Sequence, residues 1–399
     1  MIGQQPAPHE QQPSNLTLDL GFNTLLGIVR DALDIPPTEY VPAVLGRPRT
    51  WIPPYHRYSE FRMLDLWRLG RSIQFLINVT LPTIPVSPPT FGRPLLNLFF
   101  WRPTVILQRP DHYGSYTSFP REAWFFLNGI MTNDAVAQVN AAYLAYLFHR
   151  PLTLIQNSTC GTLVDLIECA LGKQWHRTTE SAIQALPPIY DALKSEKERV
   201  ILIAHSQGTI IAAMVLSLLY TLTRPKEAGP GGEALLGEIS PAQPYAPPEF
   251  VYPDASRFQL DDFEPLTEDE LAKLEVYCFA NCANVMPYER PPTYDRSPIP
   301  WIESFGNVHD IVARLGMLAP RAAQWGIAID GPRYAYRNGW GHLLNEHYLL
   351  AIEQAQKEGR KRGGRGSRAP YELVNADAFP DTMVPRLFSY LNGGAPDTR

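Results

Sequence analysis

Cysteine is scarce: the 399 residues hold four, Cys160, Cys169, Cys278 and Cys282, with no C-x-x-C pair among them. That excludes a dense disulfide scaffold and a cysteine-based metal knuckle, and leaves structural thiols. An excess of basic charge is also missing. Lys and Arg number 35 against 40 Asp and Glu, for a net charge of −5, so nucleic acid is not an expected partner. No uninterrupted apolar run approaches the ~20 residues of a membrane-spanning helix. Residues 1–15 are polar and rich in Gln and Pro, without the basic start and apolar core of a secretory signal, so a cytoplasmic location is the expectation. Without such a signal, the N-x-S/T sequons at Asn15, Asn78 and Asn157 carry no glycosylation meaning. No internal repeat is evident.

Proline, by contrast, is abundant. The 39 prolines are roughly double average usage, and they gather in segments that cannot be long regular elements. Residues 1–115 read as a polar tail followed by a proline-rich helical arm. Helical spacing runs over Leu18–Leu33 and Phe61–Asn78, with proline-punctuated coil over Ile35–Pro54. The apolar stretch Leu95–Trp101 suits an arm packed on the core, or an apolar flank that touches acyl chains or a lipid surface. Residues 116–399 read as one domain in which strands alternate with helices. Strands are expected at Val105–Gln108, Trp124–Leu127, Leu152–Gln156, Val200–Ala204, Leu274–Ala280, Trp301–Phe305 and Arg333–Arg337. Helices are expected at Ala135–Leu147, Cys160–Leu171, Thr179–Lys194, Thr209–Tyr220 and Leu343–Gln356. The fold class that follows is α/β, a mostly parallel central sheet with helices on both faces. A Pro-, Gly- and acid-rich insertion, 224–270, is expected over the sheet's edge or mouth as a loop or lid, and 357–368 as a solvated basic, glycine-rich loop.

The stretch around which the domain is organised is RVILIAHSQGTIIAAMVLSLLY, 199–220. Val200 to Ala204 are aliphatic without alternation, as in a strand buried on both faces of a parallel sheet. A tight turn with small residues around Ser206 follows, and then an apolar helix. Strand, turn and helix are the context in which Ala204-His205-Ser206-Gln207-Gly208 reads as a nucleophile elbow. Bulk at Ala204 or Gly208 would meet the neighbouring strand or helix, and Ser206 stands at a helix N-terminus where N–H groups face developing negative charge.

A serine hydroxyl is a poor nucleophile at neutral pH and needs a base in reach, with a group that orients the base. At an elbow of this kind the acid and then the histidine follow the serine in the chain. Of nine histidines, five precede Ser206, His205 lies in the elbow and orients the turn, His309 adjoins the acid candidate, and His347 falls inside the closing helix. His342 remains, between glycines and a helix start. Asp310, just past a strand end, is favoured as the acid over Asp330, and Glu303 would lie within its strand. An oxyanion hole takes the Gln207 amide and a second N–H from Asn128-Gly129-Ile130-Met131, that of Ile130 or Met131.

Four segments, AHSQG at 204–208, NGIM at 128–131, FGNVHD at 305–310 and GWGH at 339–342, resemble the α/β-hydrolase superfamily over about residues 123–351. Alanine opens the elbow, as in some bacterial lipases, and Ser-Gln-Gly is similar to the elbow of cutinases. The resemblance implies a lipase- or esterase-like serine hydrolase with Ser206, Asp310 and His342 as its triad. Its substrate would be a small acyl or ester compound, with no metal or organic cofactor. The alternatives are acyl transfer, thioester or peptide cleavage on the same triad, and a hydrolase-like scaffold that binds without turnover.

Overall fold

The computed structural model describes residues 37–47, 57–63, 105–108, 121–129, 132, 134–157, 180–223, 263–286, 300–320, 322, 327–361, 370–375, 379–380 and 383–397. The expected helices at 18–33 and 160–171, the apolar stretch 95–101, and most of the 224–270 insertion and the 357–368 loop lie outside these residues.

Eight described strands form one sheet, in the order β1–β3–β2–β4–β5–β7–β9–β10. They are β1 (Val105–Gln108), β2 (Glu122–Leu127), β3 (Thr153–Asn157), β4 (Arg199–His205), β5 (Leu274–Phe279), β7 (Trp301–His309), β9 (Arg333–Trp340) and β10 (Glu372–Leu373). The six inner strands run parallel, and β1 and β10 close the two edges antiparallel. β6 (Val285–Met286) and β8 (Ala328–Ile329) pair apart from the sheet. This is the mostly parallel α/β architecture that the alternating pattern implies.

Helices cover both faces. On one side α3 (Glu180–Lys194) and α4 (Gln207–Thr223) pack Leu186, Ile189, Val215 and Leu219 against Val200, Leu202 and Val276. On the other, α2 (Asp134–Phe148) and the turns that follow β9 pack Leu144, Phe148 and Leu349 against Ile201, Ile203 and Phe279. β4 buries both faces, which is why its sequence is unbroken aliphatic and why α4, also enclosed, is apolar nearly all round.

Several boundaries differ from the sequence reading. Residues 37–45, expected as coil, form a helix, α1 (Pro37–Leu45), with Pro37 in the first position, where its missing N–H costs nothing, and Pro42 inside. α3, by contrast, matches the expected helix 179–194 and runs through Pro187 and Pro188. Of the expected helix 61–78, the described part is a 3₁₀ turn, Glu60–Met63. β7 extends four residues beyond Phe305, and β9 extends to Trp340, because their ladder continues past the apolar runs through Asn307–Tyr336 to His309–Trp340. Between those two pairings β9 carries extra residues, a bulge of the kind that re-aims side chains at a sheet end. The closing helix begins as a π-helical turn, Leu344–Leu349, before α7 (Leu350–Lys361). Short helices α5 (Glu268–Leu271) and α6 (Ile311–Arg314) precede β5 and follow β7.

At the N-terminal ends of the strands, buried carboxylates anchor the segment 383–397. Arg386 Nη2 lies 3.1 Å from Glu275 Oε1, whose partner oxygen accepts the Tyr277 and Tyr390 hydroxyls at 2.6 and 2.8 Å. Glu303 accepts the backbone N–H groups of Arg386 and Leu387 at 2.6 and 3.2 Å. Arg150 Nε bonds Glu122 at 2.7 Å, and its Nη2 reaches the Gly394 carbonyl at 2.9 Å.

Candidate active site

β4 delivers Ser206 to the C-terminal edge of the sheet. The chain reverses into α4 through this one residue at φ 57°, a left-handed conformation that is strained for a side chain. The turn is held from three sides. The Ser206 N–H bonds the Phe279 carbonyl at 3.0 Å. Its own carbonyl accepts the Thr209 N–H and hydroxyl at 2.8 and 2.7 Å and the Cys282 thiol at 3.4 Å. Space is as tight as the small residues suggest. A Cβ on Gly208 would lie 2.5 Å from the Leu127 carbonyl oxygen, and one on Gly129 would lie 2.6 Å from Ser206 Cβ. The Asn128-Gly129 end of the segment after β2 is therefore pressed against the serine. Ile130 and Met131 lie outside the described residues. The Gln207 amide is in the first turn of α4, where N–H groups lack intrahelical carbonyl partners.

β7 and β9 bring the other two expected residues to the same edge. His342 Nε2 lies 2.8 Å from Ser206 Oγ, and His342 Nδ1 lies 2.9 Å from Asp310 Oδ2. With a carboxylate on Nδ1, that nitrogen carries the proton, and Nε2 offers its lone pair to the serine hydroxyl. Ser206 and Asp310 are buried, while 13% of the His342 side chain is exposed. Asp310 caps α6 through Oδ1, which accepts the Val312 N–H at 2.8 Å, and its Oδ2 accepts the Tyr348 hydroxyl at 2.5 Å. Asp330 follows β8 and donates its backbone N–H to Met286, in the separate two-stranded ladder.

The loop carrying His342 is fixed by groups that no motif flags. Gly341 takes φ 85°, and a Cβ there would meet the His347 ring and Gly46 N at about 2.5 Å. Asn307 Nδ2 donates to the Gly341 and His347 carbonyls, each at 3.2 Å. The His342 N–H donates to the Val44 carbonyl of α1 at 2.8 Å, so the N-terminal arm is part of the site. Next to it, the Arg47 guanidinium lies 3.9 Å over the Trp340 ring, which stacks on His309 at 4.0 Å.

His205 does more than orient its turn. Its Nε2 donates to the His342 carbonyl at 2.9 Å, and the two rings stack 4.8 Å apart. Burial and the adjacent His342 ring hold His205 well below the usual imidazole range, so it stays neutral. His347 is likewise pushed down to about 3, chiefly by burial, and accepts the Leu343 N–H on Nδ1 at 2.8 Å.

The arm is tied in again just beyond. Glu346 Oε1 accepts the Ser59 hydroxyl and the Glu60 N–H, both at 2.7 Å. Asn345 donates its N–H to Glu60 Oε2 and its side chain to the Tyr58 carbonyl. Burial and the facing Glu346 hold Glu60 well above the usual carboxylate range, which favours a proton between the two acids. Among the described residues no three His, Cys, Asp or Glu side chains are grouped to hold a metal ion, and no helix is long and apolar enough to cross a membrane.

No family model matches the chain, and neither does any curated protein. Among solved structures, a hyperthermophilic esterase from the archaeon Pyrobaculum calidifontis is 13% identical, with 67% of this chain and 84% of that one covered and a TM-score of 0.29. A monoclinic form of a Pyrobaculum calidifontis esterase gives the same identity and coverage with a TM-score of 0.28. Scores this low carry nothing from those esterases to the site of this chain.

Proposed function

We propose that this chain is a serine hydrolase of the α/β-hydrolase type, cleaving a carboxylic ester or related acyl compound. One observation carries the reading: an unbroken hydrogen-bonded path from Ser206 Oγ through His342 to Asp310, with links of 2.8 and 2.9 Å, at the C-terminal edge of a parallel sheet.

Ser206 Oγ attacks the acyl carbonyl as His342 Nε2 takes its proton. Asp310 holds the Nδ1–H tautomer and stabilises the imidazolium that forms. His342 then returns the proton to the leaving alcohol, and water, activated in the same way, releases the acid. The Gln207 amide and the Ile130 amide are the proposed oxyanion donors. The contact of Gly129 with Ser206 supports the 128–131 segment as a source of the second. Each such donor typically contributes ~3 kcal/mol to the transition state. Gly208 and Ala204 serve the elbow by leaving it room.

The test is labelling with a fluorophosphonate, followed by peptide mapping, and hydrolysis of p-nitrophenyl esters. The adduct is expected on Ser206. Ser206→Ala should fold as the parent does and lose kcat by a factor on the order of 10⁴ to 10⁶. Folded protein that ignores the probe, or a Ser206→Ala variant as active as the parent, overturns the proposal.

A further inference from the structure

We propose that Tyr348 is a positioning residue that sets the strength of the His342 base, by sharing the carboxylate oxygen on which that imidazole leans. The inference rests on the serine hydrolase reading above.

Asp310 has two oxygens with different duties. Oδ1 is occupied by the α6 cap, the Val312 N–H at 2.8 Å. Oδ2 carries everything else: the His342 Nδ1–H at 2.9 Å and the Tyr348 hydroxyl at 2.5 Å. The direction of the phenol's hydrogen bond is fixed, because its oxygen also accepts the Asn307 N–H, at 3.2 Å. With an N–H on one side and a carboxylate on the other, the phenolic proton points to Asp310. Burial, and then the Asp310 charge, hold the Tyr348 phenol well above its usual range, so it remains a donor at every working pH.

Two donors on one oxygen compete for the same charge. The imidazolium formed when His342 takes the serine proton is stabilised by Asp310 only to the extent that Tyr348 leaves Oδ2 unneutralised. Tyr348 thus weakens the pull of Asp310 on the proton and keeps His342 unprotonated, ready as a base, to lower pH. Asn307 enters the same arrangement from the strand side: its N–H anchors the phenol and its side chain anchors the His342 loop.

Other titratable groups facing the pair are held away from their ordinary ranges. His205, in edge contact with Tyr348 and stacked on His342, is held well below the usual imidazole range by burial. His347 is pushed down to about 3, and burial holds Tyr371, which faces Tyr348, well above the usual phenol range. On the outer side His309, next to Asp310 in the chain, is lowered by partial burial. These neighbours are the same in every variant at position 348, so a change of the Ser206 midpoint on altering Tyr348 is read through the Asp310–His342 pair.

The experiment follows the rate of Ser206 labelling by a fluorophosphonate as a function of pH in the full chain, which requires no knowledge of the natural substrate. Tyr348→Phe removes the competing donor, and the midpoint of the profile should rise by about one pH unit, a tenfold change in proton affinity. Site-specific 3-fluorotyrosine at position 348, a more acidic phenol of nearly the same size, should move it down. A role in packing alone would lower the rate at all pH values and leave the midpoint in place. Shifts in opposite directions support the proposal; a midpoint unmoved by the fluorinated residue overturns it, and that variant decides alone if Tyr348→Phe does not fold. Failure of the parent to label at Ser206 overturns the hydrolase reading instead, so the two failures are distinct.

Discussion

Gly129→Ala tests how closely the segment after β2 is set against Ser206. The new Cβ would lie 2.6 Å from Ser206 Cβ, 3.0 Å from the His205 carbonyl oxygen and 3.2 Å from His205 Nδ1. Ordinary carbon–carbon contact is ~3.5–4.0 Å, so the backbones must separate by about 1 Å. Ser206 cannot yield without breaking its bonds to Phe279 and Thr209, and Asn128-Gly129 cannot yield without drawing away from the serine. Either displacement, at about 1 Å, is expected to reduce turnover by about 10²-fold, or ~2.7 kcal/mol. The packing strain should cost a further ~1–3 kcal/mol of stability, seen as a lower Tm in a folded protein. Gly306→Ala is the matched control. There the new Cβ meets the ends of Leu318 and Met317, at 2.9 and 3.0 Å, and flexible side-chain ends can move aside. Steady-state hydrolysis of a p-nitrophenyl ester, with thermal melts of both variants, reads the difference. Parent-level kcat in a folded Gly129→Ala protein would refute the claim that this segment abuts the serine.

Two predictions concern stability. Burial raises the Glu303 carboxyl from its ordinary 4.5 to about 7. Its contribution is therefore complete below pH 4.5 and is lost as pH rises through about 7, at most ~3 kcal/mol. The Tm should fall between pH 4.5 and 7 and level off above, and Glu303→Gln should flatten that fall; an identical slope in both proteins would exclude Glu303 as its cause. Arg386→Ala leaves Glu275, 2% exposed, without its cation, and should destabilise by ~3–5 kcal/mol in urea unfolding while leaving kcat unchanged at low temperature. A loss below 1 kcal/mol would show that Tyr277 and Tyr390 suffice for that carboxylate.

What was legible in the sequence was whatever the core made locally redundant. β4 is buried on both faces and α4 is enclosed, so each is written as an apolar run with little alternation, and small residues mark the contact between them. Asp310 and His342 were legible because each follows a strand in the order that an elbow serine requires. Strand ends were not legible where pairing, rather than burial, sets them: Gly306-Asn307-Val308-His309 is too polar to announce a strand, yet it continues the ladder to β9. α1 was hidden by its prolines, although one of them sits where a helix tolerates it. Tyr348 reads as one more aromatic residue in an apolar segment, because its partner lies 38 positions away. The tie between Glu60 and Glu346 joins residues some 286 positions apart, and two acids facing each other contradict the rule that buried charges seek opposite charges. A proton shared between them resolves that conflict, and no local pattern encodes a proton.

The polarity of the parallel sheet divides its buried carboxylates into two groups with different partners. Glu122, Glu275 and Glu303 stand near the N-terminal ends of β2, β5 and β7, where arginines and backbone N–H groups from residues 150 and 386–387 bond them. Such carboxylates hold the segment 383–397 in place. Asp310 stands just past the opposite end of β7, where no arginine is bonded to it among the described residues and its donors are an amide, a phenol and an imidazole. Of these only the imidazole can pass a proton to and from Ser206 in the proposed reaction, since the amide does not titrate and the phenol is held well above its usual range. In the proposed reaction, a guanidinium in place of Tyr348 would cancel the Asp310 charge outright and leave the developing imidazolium without support. A neutral donor trims that charge and keeps most of it available. The composition of the two edges, cations at one and neutral donors at the other, separates the carboxylates that anchor the fold from the one suited to chemistry.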